Sequence, residues 1–257
     1  MFNWKNKIVF LTGASSGIGE ALAIALAKKG VTLGLLARRE ELLADLAAKC
    51  EAAGGEARIF PCDVVDSDAV HAAADKFRAE FGHIDIMIAN AGMGGNDKAS
   101  RDYEPAAVKK LIDVNLLGAV NAVHAVIHQM VERRSGQLVA ISSLAGYRGL
   151  PKSAAYSASK AGMTAFFESV RLDNIKHNID VTIIHPGFIR TPLTAGRANT
   201  MPFLMELDDA IPHFVQAIEK KKKFAAFPWP LAMIVRVARF APAWIYDRSA
   251  GKARYRE

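Results

Sequence analysis

Residues 7–19 read Lys-Ile-Val-Phe-Leu-Thr-Gly-Ala-Ser-Ser-Gly-Ile-Gly, and an Ala- and Leu-rich stretch runs on to Lys29 before Gly30. The short, continuously apolar run Lys7–Thr12 is the pattern of a parallel strand covered on both faces. Helical periodicity follows at Ile18–Lys29. Gly13 permits a tight turn out of the strand, Gly17 admits close approach of a diphosphate, and Gly19 lets the helix pack on its sheet. Strand, glycine triplet and helix in that order present free N–H groups at a helix N-terminus, where phosphate binds. Gly13, Ser15, Ser16, Gly17, Ile18 and Gly19 are therefore read as cofactor-binding positions.

The alternation continues outward. Further strands are expected at Val31–Ala37, Ala57–Pro61, Ile84–Ala89, Gln137–Ser142 and Asp180–His185. Helices are expected at Arg39–Ala53, Ser67–Phe81, Glu104–Arg134 and Ala154–His177. Such alternation builds right-handed βαβ units into an α/β, doubly wound parallel sheet with helices on both faces. The 257 residues are read as one domain over 1–257, with 188–208 as a substrate lid loop and 224–257 as an apolar, basic C-terminal extension.

At 51% hydrophobic and 23% charged residues, the composition excludes intrinsic disorder. Cys50 and Cys62 are too few for a disulfide framework and fit no metal knuckle, so two reduced thiols of a cytoplasmic protein are expected, and no metal. The start lacks the apolar segment of a signal peptide, and no run of about 18 uncharged apolar residues reads as a spanning helix. The net charge of +7 is uneven. Ten basic residues from Lys220 onward face only Asp247 and Glu257, whereas residues 1–219 hold 23 basic and 24 acidic side chains. The excess belongs to the tail, which argues against a nucleic-acid face spread over the fold.

Where the second strand ends, a carboxylate would hold an adenosine ribose; this chain has Ala37, then Arg38 and Arg39. A guanidinium forks onto a 2′-phosphate, so NADP is expected over NAD, the plain alternative being two solvated surface charges. Glu40 and Glu41 suit the first turn of the next helix.

Tyr156 and Lys160 lie four apart at the start of a helix, on one face. A nearby ammonium lowers the phenol's ordinary pKa of about 10 towards proton exchange at neutral pH. Ser142-Ser143 follows the fifth strand at the carboxyl edge, where ligands bind open α/β sheets. Asn115 stands inside an otherwise apolar helix, where it could also serve a neighbouring backbone group.

With Asn90-Ala91-Gly92 and Pro186-Gly187, these motifs resemble, in order and spacing, the short-chain dehydrogenase/reductase family. The resemblance implies a Rossmann-type fold and an NADP-dependent oxidoreductase that interconverts a carbonyl and a secondary alcohol by hydride transfer. It implies Tyr156 as general acid/base, Lys160 as the group that lowers its pKa and holds the nicotinamide ribose, Ser143 rather than Ser142 as the hydrogen bond to the substrate oxygen, and Asn115 as holder of a relay water. Asn90, Ala91 and Gly92 would shape the cofactor wall, Asp63 with Val64 would meet adenine, and Thr191, counted with Pro186, Gly187 and Ile189, would hold the carboxamide. Partners are then a small carbonyl or alcohol, with no nucleic acid, and a second copy in a homodimer or homotetramer pairing the two long helices. The rival is a non-catalytic NADP-binding sensor or scaffold of the same fold.

His124 and His128 have zinc spacing, but Ala125 stands where a metalloprotease needs Glu, so a partly buried or interface histidine pair is expected. In the tail, Leu231, Ile234, Val235 and Ala238 recur at helical spacing between Trp229 and Trp244, with Arg236 and Arg239 on another face. Two readings stand. A helix docked on its own domain or a second subunit is favoured by Pro242 and the short apolar face. The other is an interfacial helix on anionic lipid, making the protein peripheral on a membrane. Leu193, Met201, Pro202, Phe203, Leu204 and Met205 in the lid are mostly apolar and, with the apolar tail, suggest a lipophilic substrate.

Overall fold

Ile8–Thr12 (β1) is buried at every position. Successive side chains leave opposite faces of a strand, so Val9 and Leu11 enter one core while Ile8 and Phe10 enter the other. A computed structural model describes residues 2–94, 100–195 and 201–252, with only the backbone described at Ser100 and 249–252.

Around β1 the chain lays down α1 (Gly17–Ala27), β2 (Thr32–Ala37), α2 (Glu40–Ala52), β3 (Glu56–Pro61), α3 (Ser67–Phe81) and β4 (Ile86–Ala89). It continues with α4 (Pro105–Ile112), α5 (Gly118–Arg133), β5 (Gly136–Ile141), α6 (Ala154–Asn174), β6 (Ile179–Pro186), α7 (Leu207–Glu219), β7 (Phe224–Phe227), α8 (Trp229–Phe240) and α9 (Ala243–Lys252). The strands form one parallel sheet in the order β3-β2-β1-β4-β5-β6-β7. Helices α1, α2 and α7 cover one face, and α3, α5 and α6 the other. The chain reverses direction of winding between β1 and β4, which opens a crevice at their carboxyl ends.

Three expectations meet differences. The single helix expected over 104–134 is α4 and α5 joined by a wide π turn, Asp113–Leu117, centred on Asn115. Within 105–133 an 18-residue window reaches a mean hydropathy of 1.4, the length and apolarity of a membrane span, although Ala122, Val123, Val126 and Met130 face the sheet. The expected lid range overruns α7, which begins at Leu207 and buries Ala210, Ile211, Phe214 and Val215. Burial pushes the Cys50 and Cys62 thiols up to about 11, consistent with inert thiols.

Candidate active site

The turn after β1 is built to let backbone segments touch. Gly13 has φ +66°, and a Cβ there would lie 2.6 Å from Ala91 Cα. A Cβ on Gly19 would collide with the Gly13 carbonyl. The same turn is tied to the end of β4. Thr12 Oγ1 accepts from the N–H groups of Asn90 and Ala91, both at 3.1 Å, while Asn90 Nδ2 donates to the carbonyls of Thr12 (3.1 Å) and Gly13 (3.0 Å). Asn90 thus holds the glycine turn itself in shape. Ile18 packs against the core in the first turn of α1. A Cβ on Gly17 would lie 3.5 Å from Thr191 Cβ, so the segment after β6 closes over the turn. These residues fit a dinucleotide diphosphate: narrow turn, helix N-terminus and covering threonine converge on one crevice.

Arg38 and Arg39 lie beside this turn, each with a polar partner. Arg38 Nη1 is 3.7 Å from Asp63 Oδ2, and Arg39 Nη2 donates to Ser15 Oγ and Ser16 Oγ, both at 3.0 Å. Val64 and Ile189 are buried, Val64 against Gly118 of α5 and Ile189 in a bridge to Met205, so any contact they make with a ligand runs through backbone. Arg190 and Glu206 close the base of the segment at 2.8 and 3.0 Å; residues 196–200 of the expected lid lie outside the described residues.

On the far side of the crevice, α6 places Tyr156 half-buried and Lys160 buried one turn on. Lys160 Nζ donates to the Ile141 carbonyl at 2.8 Å and lies 6.0 Å from the centroid of the Tyr156 ring. Burial pushes its pKa down to about 8, so it is still an ammonium at neutral pH. Ser143 Oγ accepts the Ala145 N–H at 3.1 Å, which leaves the hydroxyl proton to be donated. Ser142 serves differently: its Oγ donates to the Lys160 carbonyl at 3.1 Å, beside Thr164. Buried Asn115 accepts from Met93 N at 2.7 Å and donates to Met93 O and Ser159 Oγ, both at 3.1 Å. A Cβ on Gly92 would lie 3.3 Å from Asn115 Oδ1 and 3.7 Å from Lys160 Nζ. Asn115 and Lys160 thus both border the bare Gly92 backbone. Leu193 approaches Gly94 across the cleft, and Gly187 donates to the Phe227 carbonyl at 2.7 Å just after Pro186 ends β6.

Sequence reading missed two supports. Ser159 Oγ donates to the Tyr156 carbonyl at 2.8 Å. Tyr103 OH accepts the N–H of Ala154, the first residue of α6, at 2.9 Å and so pins the turn that carries Tyr156. Neither carries a motif; only a polar residue at a helix interior or a lone Tyr before a helix could have signalled them. The expected histidine pair is joined by a third ring, His71 Nε2 lying 2.6 Å from the exposed His124 Nδ1.

Residues 7–202 match the short chain dehydrogenase family, and the chain belongs to it. It is accordingly an oxidoreductase that works by hydride transfer with a nicotinamide dinucleotide. It is 41% identical over 249 residues to an uncharacterized oxidoreductase of Myxococcus xanthus, covering 96% of this chain and 98% of that one. It is 34% identical over 224 residues to a fatty acyl-CoA reductase of Acinetobacter baylyi, covering 86% and 76%. A short chain dehydrogenase from Mycobacterium paratuberculosis, solved bound to NAD, aligns with TM-score 0.79 and 25% identity over 87% of this chain and 96% of that one.

The NAD in that relative corrects the NADP expectation drawn from Arg38 and Arg39. The sequence does not show that these side chains have partners of their own: Arg38 lies 3.7 Å from Asp63, and Arg39 donates to the hydroxyls of Ser15 and Ser16.

Proposed function

We propose that the protein transfers hydride between NAD and a lipophilic alcohol or carbonyl compound, with Tyr156 as the proton donor and acceptor. The observation that carries this reading is the buried Lys160 ammonium 6.0 Å from the Tyr156 ring, which favours the phenolate. In reduction the Tyr156 hydroxyl gives its proton to the developing alkoxide; in oxidation the phenolate takes it from the alcohol. Ser143, its oxygen held by the Ala145 N–H, donates to the substrate oxygen as charge builds there. Asn115 and Lys160, which meet beside Gly92, would hold a water through which the proton is replaced from solvent. The nicotinamide, when bound, supplies or accepts the hydride.

NAD is supported by the solved relative that carries it. A lipophilic substrate is supported by the name of the Acinetobacter relative and by Leu193 and Met93 at the cleft. Exposed Leu117, Leu172 and Ile175 on the two long helical segments support pairing with a second copy.

The test is NADH-linked turnover of a panel of long-chain aldehydes and ketones, with the alcohols and NAD in reverse. Tyr156→Phe should lose about 10²–10⁴-fold in kcat while NADH still binds. Undiminished turnover in that variant overturns the acid/base role. A wild type that binds NADH yet turns over nothing in the panel overturns the lipophilic substrate class.

A further inference from the structure

Helix α8 is turned the unusual way round. Its covered side is thin: Ala232 is buried, and Leu231 seats against Gly187. Its other side carries Trp229, Met233, Ile234, Val237 and Phe240 into solvent, with Trp229 75% and Phe240 84% exposed. Trp244, 71% exposed, and Ile245 continue the surface onto α9. Between the two helices runs an open groove of about 410 Å³ with apolar walls. A soluble helix ordinarily sends its wide apolar side to the core and its polar side to water. Contiguous exposed aromatic and aliphatic surface of this kind marks a docking face.

The charges say what docks. Arg236 and Arg248 are exposed on the same two helices, Arg239 lies over the Tyr147 ring at 5.9 Å, and Asp247 is the one acid among their described residues. Over 228–257 six basic residues face Asp247 and Glu257. The Lys220–Lys223 run is not part of this face. It precedes β7 at the amino edge of the sheet, whereas α8 leaves from the carboxyl edge. A second copy related by a two-fold axis would set the arginine-rimmed patch against itself. Anionic headgroups supply the opposite sign, and the headgroup–hydrocarbon boundary takes up Trp and Phe.

The two helices are also fastened to the catalytic loop. Arg148, five residues after Ser143, donates to the Ala238 carbonyl and, at 2.8 Å, to the Ala241 carbonyl. Its guanidinium lies 3.8 Å from the centroid of the Tyr246 ring, and Tyr246 OH donates to Gly149 O at 2.6 Å. A surface that holds α8 and α9 therefore also orients the loop carrying Ser143.

We propose that α8 and α9 form a platform that seats the protein on an anionic lipid bilayer, with the crevice mouth beside the lipid. This docking does not depend on the reaction proposed above, and its test reads no turnover. The full chain is sedimented with vesicles of phosphatidylcholine alone and of phosphatidylcholine with phosphatidylglycerol. Anionic vesicles should carry it down, less so as salt shortens the Debye length from about 30 Å at 0.01 M to about 8 Å at 0.15 M. Phe240→Ser with Trp244→Ser should lower partition by about tenfold or more, with melting temperature unchanged; Trp229→Ser alone gives an independent variant. Arg236→Gln with Arg248→Gln should remove the preference for anionic over neutral vesicles. The proposal is overturned if the wild type stays in solution with anionic vesicles, or if the aromatic variants sediment as well as it does. It is equally overturned if the aromatic variants halve the mass by light scattering while no form sediments, which would give the face to a second copy.

Discussion

Asn115 Nδ2 lies 3.1 Å from the hydroxyl oxygen of Ser159, and that hydroxyl donates in turn to the Tyr156 carbonyl at 2.8 Å. One buried amide so joins the π turn, the backbone of Met93 and the helical turn that bears the proposed acid/base. A wide turn inserted in a helix re-aims one side chain and occurs frequently at functional sites. Ser159→Ala should cost about 1 kcal/mol in stability, because Asn115 Nδ2 keeps Met93 O as a partner. It should lower kcat about tenfold with KM little changed, because a small displacement of a positioned group costs rate rather than binding. A variant that loses stability but keeps the wild-type kcat would show Ser159 to be structural only.

Gly13→Ala tests the turn. It meets both a positive φ and backbone at 2.6 Å, and should cost about 1–3 kcal/mol together with most of the affinity for NADH. Gly82→Ala is the control. Gly82 has φ +85° with nothing near its absent Cβ, so it pays the conformational penalty and leaves NADH affinity alone. Equal NADH affinity in the two variants would remove the close approach at Ala91 from the argument.

The sheet was legible because β1–β6 are near-continuous apolar runs broken by turn residues, and α3 came out at its observed bounds, where Asp66 accepts from Ala69 N and Gly82 stops the helix at positive φ. Helix α7 escaped because Pro212 sits inside it, and β7 because Phe224–Phe227 is four residues long and runs into Pro228. The oddity of Asn115 was visible, but a π turn has no compositional sign. Arg38 failed as a guide for a different reason. Its partner Asp63 is adjacent only because β2 pairs with β3, Ala37 lying opposite Pro61.

Lys160 should leave a signature at alkaline pH. Its pKa is about 8 when folded and ordinarily 10.5. Below pH 8 both states hold the proton, and the folded state carries the full cost of a buried charge. Between pH 8 and 10.5 the unfolded chain holds more protons, so stability rises with pH across that window. The gain is at most about 3 kcal/mol. Lys160→Met lacks the titrating group, so wild-type stability measured relative to that variant by urea unfolding should climb from pH 7.5 to 10. A flat difference would show that the ammonium is better solvated than its burial implies.

His185 should act at the acid end. It lies buried between the rings of Tyr147 (centroids 4.7 Å apart) and Phe224 (6.1 Å), with Nε2 3.2 Å from Thr164 Oγ1. Burial, aided by the positive charges of Arg236, Lys160 and Arg239, pushes its pKa down to about 4 from the ordinary 6.5. Between pH 6.5 and 4 the unfolded chain takes up the proton first, so stability is lost as pH falls through that range, by up to about 3 kcal/mol. Thr164 also donates to the Lys160 carbonyl at 2.9 Å, so a charged imidazole disturbs the turn that aims Lys160. His185→Gln should lose the part of the acid slope due to this group while carboxylate titration continues unchanged. The wild type minus variant difference in unfolding free energy should therefore shrink steadily from pH 6.5 to 4.5. If both proteins fall in parallel, His185 is not buried neutral, and the acid sensitivity belongs to the carboxylates alone.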